Sequence, residues 1–102
     1  MAQLVVIYKT PKDIEAFDNY YAETHIPLAR KLPGLKKYEI SSGPVAAPAG
    51  SSGIHLIANL TFADVAEIKA ALASPAGQAA AGDLPNFATG GVDIVMFETS
   101  EL

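Results

Sequence analysis

"QLVVIYKTPKDIEAFDNYYAETHIPLARKLPGLKKYEI", residues 3–40, places a strand, a helix and a second strand in immediate succession. The first segment, Leu4 to Tyr8, is β-branched and apolar on both alternating faces, which is typical of a strand covered on both sides. The segment "TPKD" then predicts a helix start, with Thr10 as the N-cap and Pro11 at the first helical position, where a missing N–H costs nothing.

An apolar stripe with the period of one helix face follows, and it includes a histidine. The stripe consists of Ile14, Phe17, Tyr21, His25, Leu28 and Leu32. Pro27 cannot donate a hydrogen bond to the carbonyl of Glu23, and it biases Ile26 away from helical geometry. We therefore expect the helix to bend or stop near His25, so that the imidazole lies at a helix C-terminus, where the dipole favours its protonated form.

The segments after this helix predict a turn, a strand and a hairpin. Pro33–Gly34 indicates the turn, and the strand that follows has Tyr38 and Ile40 as its expected buried positions. Residues 42–53 are small residues, glycine and proline without periodicity, which favours a flexible hairpin connection over a domain linker. The alternation of "IHLIANLTF", residues 54–62, predicts the third strand.

The second half of the chain repeats the pattern of the first. "ADVAEIKAALAS", residues 63–74, predicts a helix, and Ser74–Pro75 indicates its end and the cap of a short third helix through residues 76–82. "VDIVMFETS", residues 92–100, predicts the last strand after a turn-rich segment.

Two strand–helix–strand units in one small chain predict an α+β fold of the ferredoxin-like, split βαβ type. Such a fold has a four-stranded antiparallel sheet with helices on one face, and we expect residues 1–102 to form a single domain. The other face would be bare in a monomer. It would carry Val5, Ile7, Ile57, Val95 and Phe97. A second copy stacked sheet on sheet would cover them, which predicts a homodimer with a barrel-like centre, a dimeric α+β barrel.

Composition and charge exclude several classes of function. Seven basic and eleven acidic residues give a net charge of −4, so no cationic surface is available for nucleic acid or an anionic membrane. The absence of cysteine excludes disulfides and thiolate nucleophiles and is compatible with a cytoplasmic location, our default expectation. The N-terminal apolar run is too short for a signal peptide or a membrane span. Two distant histidines form no metal cluster, and no glycine loop suits a nucleotide phosphate, so we expect neither metal nor cofactor.

Three residues are candidates for catalysis. His25 can give or take a proton near neutral pH, although it can equally be a core or capping histidine that holds the bend. Tyr21, one helical turn earlier, could orient the imidazole or bind a substrate oxygen, or simply pack in the core. Asp83 would form a dyad with His25 if it folds back onto it; the alternative is an Asx turn before Leu84–Pro85.

Five further residues are candidates for ligand binding. Tyr8 and Tyr38, on the first two strands, could complete a polar rim around the same pocket or be ordinary strand aromatics. His55 and Asn59 share the mixed face of the third strand, where a ligand could satisfy them if that face lines the dimer barrel. Phe87 either packs at the turn or contacts the ligand.

The pattern "Y-x-x-x-H-x-P-L-A-x-x-L-P-G-L-x-x-Y" from Tyr21 to Tyr38, followed by "SPAGQAAAGDLPNFATGGV", resembles the EthD family, named for ethyl tert-butyl ether degradation. The resemblance covers nearly the whole chain, while the loop at residues 43–53 is richer in alanine and glycine than the family pattern. It implies a dimeric α+β barrel and the family label oxidoreductase. It also implies a functional link to a cytochrome P450 or other oxygenase system, because the founding member accompanies one.

Three functions are compatible with these residues. The first is a cofactor-free enzyme of degradation or secondary metabolism that acts on a small apolar oxygenated or aromatic metabolite, with His25 as general acid/base and Tyr21 or Asp83 as its helper. The second is a non-catalytic binding or accessory protein for a neighbouring oxygenase. The third is a haem-binding barrel with His25 as axial ligand.

Overall fold

Six strands run through the chain, which a computed structural model describes from residue 1 to residue 102. They are β1 (Ala2–Lys9), β2 (Lys37–Ile40), β3 (Ala46–Ala47), β4 (Gly50–Ser51), β5 (Ile54–Phe62) and β6 (Val92–Glu98). Four of them form one antiparallel sheet in the order β2-β5-β1-β6, and β3 and β4 pair as a small hairpin between β2 and β5. This order is the predicted ferredoxin-like topology, which is thereby confirmed.

Four α-helices cover one face of the sheet. They are α1 (Ile14–Tyr20), α2 (Ile26–Ala29), α3 (Val65–Ala73) and α4 (Pro75–Asp83), with a 3₁₀ turn at Leu84–Asn86. The side chains of β1 alternate as predicted: Leu4, Val6 and Tyr8 are buried beneath the helices, while Val5 and Ile7 are half-buried on the other face. No helix of the chain combines the length and the hydropathy that crossing a membrane requires.

The first helix begins later than the sequence predicts. Asp13, not Thr10, is the N-cap, and its carboxylate accepts a hydrogen bond from the backbone N–H of Ala16 at 3.0 Å. Thr10 instead donates both its backbone N–H and its hydroxyl to the carbonyl of Gly53. The carboxylate is preferred at this end because it satisfies an N–H and carries a full negative charge next to the positive end of the dipole.

The helix does not stop at His25 but continues to Ala29, about one turn further. Residues Tyr21–His25 form a π-helical turn, in which the N–H of Ile26 donates to the carbonyl of Tyr21, and the backbone continues as α2. Ile26 is helical at φ −56° and ψ −47° despite preceding Pro27. The wider turn absorbs the register change that a proline imposes. The expectation of an imidazole at a helix C-terminus is therefore wrong, and the dipole argument for a protonated His25 no longer applies.

Two other predicted placements differ in the structure. Ile40 is 42% exposed because β2 is an edge strand whose end no helix covers. The register between β1 and β5 shifts by one residue between Tyr8 and Lys9, so β5 bulges at His55. The bulge turns the His55 side chain to the helix side, away from the face that Asn59 occupies. Asn59 itself is exposed on the open face.

Candidate functional site

A cavity of about 180 Å³ lies between the helices and the sheet. Fourteen of its sixteen lining residues are hydrophobic, and no Lys, Arg, Asp or Glu is among them. Its hydrogen-bonding side chains are His25 from the π-helical turn, Tyr21 from the same turn, Tyr8 from β1 and Tyr38 from β2. The rest of the lining is aliphatic: Leu4, Val6, Ala29, Leu32, Ala58, Leu60, Leu72, Gly77, Ala80, Ala81, Leu84 and Ile94.

The imidazole of His25 is held from behind by Asp83. Its Nδ1 lies 3.0 Å from Oδ2 of Asp83, and the two residues are 5% and 7% exposed. Asp83 is at the end of α4, which can approach α3 closely because Gly77 stands where a Cβ would meet the carbonyl of Ala71 at 2.1 Å. The carboxylate of Asp83 thus bonds to His25, 58 positions away, in place of the Asx turn that was the other prediction for it.

Two further side chains complete the environment of Asp83. The Tyr20 hydroxyl donates to Oδ1 at 2.5 Å, and the Asn86 amide donates to the same oxygen at 3.0 Å. Burial acts to raise the pKa of Asp83, but the hydrogen bonds from Tyr20, Asn86 and His25 outweigh it and lower that pKa below its ordinary value. The carboxylate is thus ionised at neutral pH and only accepts hydrogen bonds.

An ionised Asp83 determines how the imidazole is protonated. Since the carboxylate can only accept, Nδ1 of His25 carries the hydrogen, and in the neutral ring Nε2 presents its lone pair to the cavity. The one side-chain hydrogen-bond partner of Nε2 is Tyr8, whose hydroxyl lies 3.5 Å away, at the outer limit of a hydrogen bond. Burial, with the nearby Tyr38 and Asp83, raises the pKa of Tyr8, so this phenol stays neutral. Nε2 is therefore available to a ligand.

A second polar group of the cavity is a pair of tyrosine hydroxyls. The oxygens of Tyr21 and Tyr38 are 2.6 Å apart, and either can be the donor. The pKa of each is raised, first by burial, so both are protonated at neutral pH. Tyr21 also packs beside the His25 ring, with ring centroids 5.4 Å apart.

The aromatic side chains behind His25 support it without lining the cavity. Phe87 is buried, and its ring centroid lies 4.7 Å from that of His25 and 5.4 Å from that of Tyr20. Its position is that of a packing residue on the far side of the imidazole. Phe87 is not among the residues that line the cavity, which agrees with the packing alternative of the prediction.

The structure brings five of the eight candidate residues together and separates three. His25, Tyr21, Asp83, Tyr8 and Tyr38 form one connected site, whereas Phe87 lies behind it and Asn59 lies on the open face of the sheet. His55 lies outside the cavity, with Nε2 bonded to Asp18 at 2.7 Å and its ring edge-on to Phe17 at 4.9 Å.

Tyr20 and Asn86 belong to the site although they were not among the candidates. Tyr20 lies off the apolar stripe of its helix, and an aromatic residue in that position is a signal that it contacts another element. Asn86 follows Asp83 by three residues, the spacing at which side chains on a helical turn meet. Neither signal identifies Asp83 as the shared acceptor.

The cavity cannot enclose a whole haem. Nε2 of His25 faces a space of about 180 Å³, and a macrocycle of four pyrrole rings exceeds that volume. The same volume is close to that of an apolar cavity of about 150 Å³ that binds benzene. The cavity is therefore of the size for a single small ring.

Comparison with known proteins gives close and consistent matches. The model of the EthD domain matches residues 9–91. An uncharacterized 11.0 kDa protein in the thcB-thcC intergenic region of Rhodococcus erythropolis is 36% identical over 96 residues, which cover 93% of this chain and 91% of that protein. The crystal structure of an EthD family protein from Bacillus halodurans is 31% identical, with a TM-score of 0.89 over 98% of this chain and 99% of that one.

Two less similar solved structures share the fold alone. A hydroxynitrile lyase from Passiflora edulis has a TM-score of 0.76 at 16% identity, over 99% of this chain and 94% of the lyase. A protein of unknown function from Bacteroides fragilis, described as dimeric with a ferredoxin-like fold, has a TM-score of 0.66 at 18% identity, over 96% and 95% of the two chains. The fold thus occurs in an enzyme and in a dimer.

Proposed function

This chain belongs to the EthD family, and from its cavity we propose that it is an enzyme that moves a proton on a small, apolar, oxygenated or aromatic metabolite. One observation carries the proposal: Nδ1 of His25 is fixed by a buried carboxylate, while Nε2 faces an apolar cavity with a single 3.5 Å contact. This arrangement is that of a general base with a positioning partner.

Each residue of the site has a different role in such a reaction. Nε2 of His25 takes a proton from the substrate, and the ionised Asp83 stabilises the imidazolium that forms. The neutral phenols of the cavity donate hydrogen bonds to the substrate oxygen on which negative charge develops. Return of the proton to another carbon completes an isomerisation, whereas expulsion of a leaving group by the electron pair, with the proton passed to that group, completes an elimination. Addition of molecular oxygen, as co-substrate and two-electron oxidant, to the enolate carbon gives a hydroperoxide and would account for the oxidoreductase label of the family.

The test is α-hydrogen exchange of cyclohexanone in D₂O, followed by NMR. Cyclohexanone is a single ring with an enolisable carbonyl, and the protein should accelerate exchange well beyond free imidazole at equal concentration. His25→Gln should lose about 100-fold or more of that acceleration. His55→Gln is the matched control and should stay within about twofold, because His55 lies outside the cavity.

The contrary outcomes are distinct. A wild-type protein that binds cyclohexanone without accelerating exchange would be a binding or accessory protein, the second function compatible with this site. A folded His25→Gln variant with full acceleration would remove His25 from the mechanism.

We also propose that two copies of the chain associate through the open sheet face. Val95 and Phe97 are 48% and 45% exposed there, and stacking two such faces would bury both. Light scattering at micromolar concentration should give a dimer. Val95→Lys should shift it to a monomer, whereas Ile14→Lys, at a residue 50% exposed elsewhere, should not. A monomeric wild-type protein contradicts the proposal.

A further inference from the structure

The charges around the cavity restrict what can enter it. Among the lining residues the ionisable side chains are His25 and three tyrosines, and neither an ammonium nor a guanidinium group faces the space. The guanidinium of Arg30 acts on Tyr38 from outside the lining, so a carboxylate or phosphate that entered would leave water without direct contact with a Lys or Arg side chain, which is unfavourable. The cavity therefore selects neutral molecules, and its volume of about 180 Å³ selects a single ring.

The hydrogen atoms of the cavity can be counted. Asp83 fixes Nε2 of His25 as an acceptor, and the nearest donor to it is the Tyr8 hydroxyl. Tyr21 and Tyr38 share one hydrogen bond but carry two hydroxyl hydrogens, so one hydrogen is not used within the pair. Both residues line the cavity. The next oxygen for the unused hydrogen is the Tyr8 hydroxyl, which lies near Tyr21 without the geometry of a full hydrogen bond. The unused hydrogen and Nε2 therefore each have only a poor protein partner.

From this count we propose that the substrates are neutral, single-ring ketones, and that the Tyr21–Tyr38 hydroxyl pair binds their oxygen. The inference rests on the proposed function and adds the substrate class to it. A carbonyl oxygen accepts the unused hydrogen and cannot be bound by Nε2, which has only a lone pair to offer. The hydroxyl pair thus holds the oxygen while His25 takes the proton from the adjacent carbon. The electron pair of that C–H bond moves into the enolate, and its charge is met by the hydroxyl pair.

Binding of three rings of similar size tests the proposal by calorimetry. Cyclohexanone should bind the wild-type protein about tenfold or more tighter than cyclohexanecarboxylate, since no Lys or Arg is among the lining residues. Methylcyclohexane measures the apolar part of the affinity. In the double variant Tyr21→Phe/Tyr38→Phe, cyclohexanone should bind about three- to tenfold more weakly, the range of one neutral hydrogen bond, with methylcyclohexane unchanged. The two single variants then show which hydroxyl donates to the ligand.

His25→Gln separates this inference from the proposed function. It should abolish the exchange of cyclohexanone while its affinity stays within about twofold of the wild type, because Nε2 does not contact the oxygen. Unchanged cyclohexanone affinity in the folded double variant overturns the oxygen-binding role and leaves the proton transfer standing. Equal affinities for cyclohexanone and the carboxylate overturn the substrate class. A double variant that binds methylcyclohexane less well has a damaged cavity. The single variant Tyr38→Phe, at a half-buried residue, then tests the oxygen-binding role through the ratio of its cyclohexanone affinity to its methylcyclohexane affinity.

Discussion

The protein contains two pairs of a histidine and a carboxylate, and the pairs differ in distance, burial and surroundings. His25 and Asp83 are 3.0 Å apart, and each side chain is 7% exposed. His55 and Asp18 are closer, at 2.7 Å, but their side chains are 18% and 55% exposed. We expect the shorter contact to contribute less to stability, because water screens an exposed pair and competes for both of its partners.

The surroundings of the two carboxylates explain the difference in function. Asp83 receives hydrogen bonds from Tyr20 and Asn86 in addition to His25, which keeps a buried carboxylate ionised. Asp18 contacts His55 alone among the side chains. A histidine becomes a candidate base when its carboxylate is fixed and its other nitrogen faces a cavity, and only His25 meets both conditions.

The largest expected difference between the two pairs is in stability. Asp83→Asn leaves a single acceptor oxygen and adds an NH₂ donor where the carboxylate accepts from His25, Tyr20 and Asn86, and it should lower the free energy of unfolding by about 2–3 kcal/mol. Asp18→Asn should cost no more than about 1 kcal/mol, as is usual for exposed pairs. Urea unfolding of both variants at pH 7 measures this. Equal losses would contradict the distinction between the two pairs.

A smaller difference between the two pairs should appear in the pH dependence of the free energy of unfolding below pH 4. The pKa of Asp83 is lower in the folded protein than its ordinary value of 3.8, so its contribution to stability is present above that value and is lost as the pH falls through the folded pKa. The free energy of unfolding should therefore decline less steeply below pH 4 in Asp83→Asn than in the wild type. Asp18→Asn should follow the wild-type slope. Parallel curves for all three proteins would assign the acid sensitivity to other groups.

The smallest expected effect concerns Tyr20. Tyr20→Phe keeps the ring that packs on Phe87 and removes only the hydroxyl that donates to Asp83. Exchange of cyclohexanone should slow about two- to fivefold, since the imidazole is less well positioned. Loss of this donor also raises the pKa of Asp83, so the decline of stability in acid should begin at a higher pH than in the wild type. A slower rate with an unchanged acid decline would point to packing alone.

Much of the fold could be predicted from local patterns. The two-sided apolar pattern of β1, the alternation of β5 and the Ser74–Pro75 helix start each depend on neighbouring residues, and each is present in the structure. The errors also have local causes. Thr10 and Asp13 are both good N-caps, and the choice depends on the contact of Thr10 with Gly53 on a distant loop. The bulge that turns His55 toward α1 arises from pairing with β1, which the alternating sequence does not specify.

The sequence by itself determined the order of the strands and helices, the apolar stripe that carries His25, and the family of the chain, because periodicity and motif are properties of residues close together. Only the tertiary structure decided that His25 has a carboxylate partner. Asp83 is 58 positions away, and its approach depends on the packing of α4 against α3 at Gly77. Pro27 also turned out to widen the helix without ending it, so His25 lies within a π-helical turn and faces the cavity. Contacts between distant elements depend on the packed sheet and helices, and no local pattern specifies them.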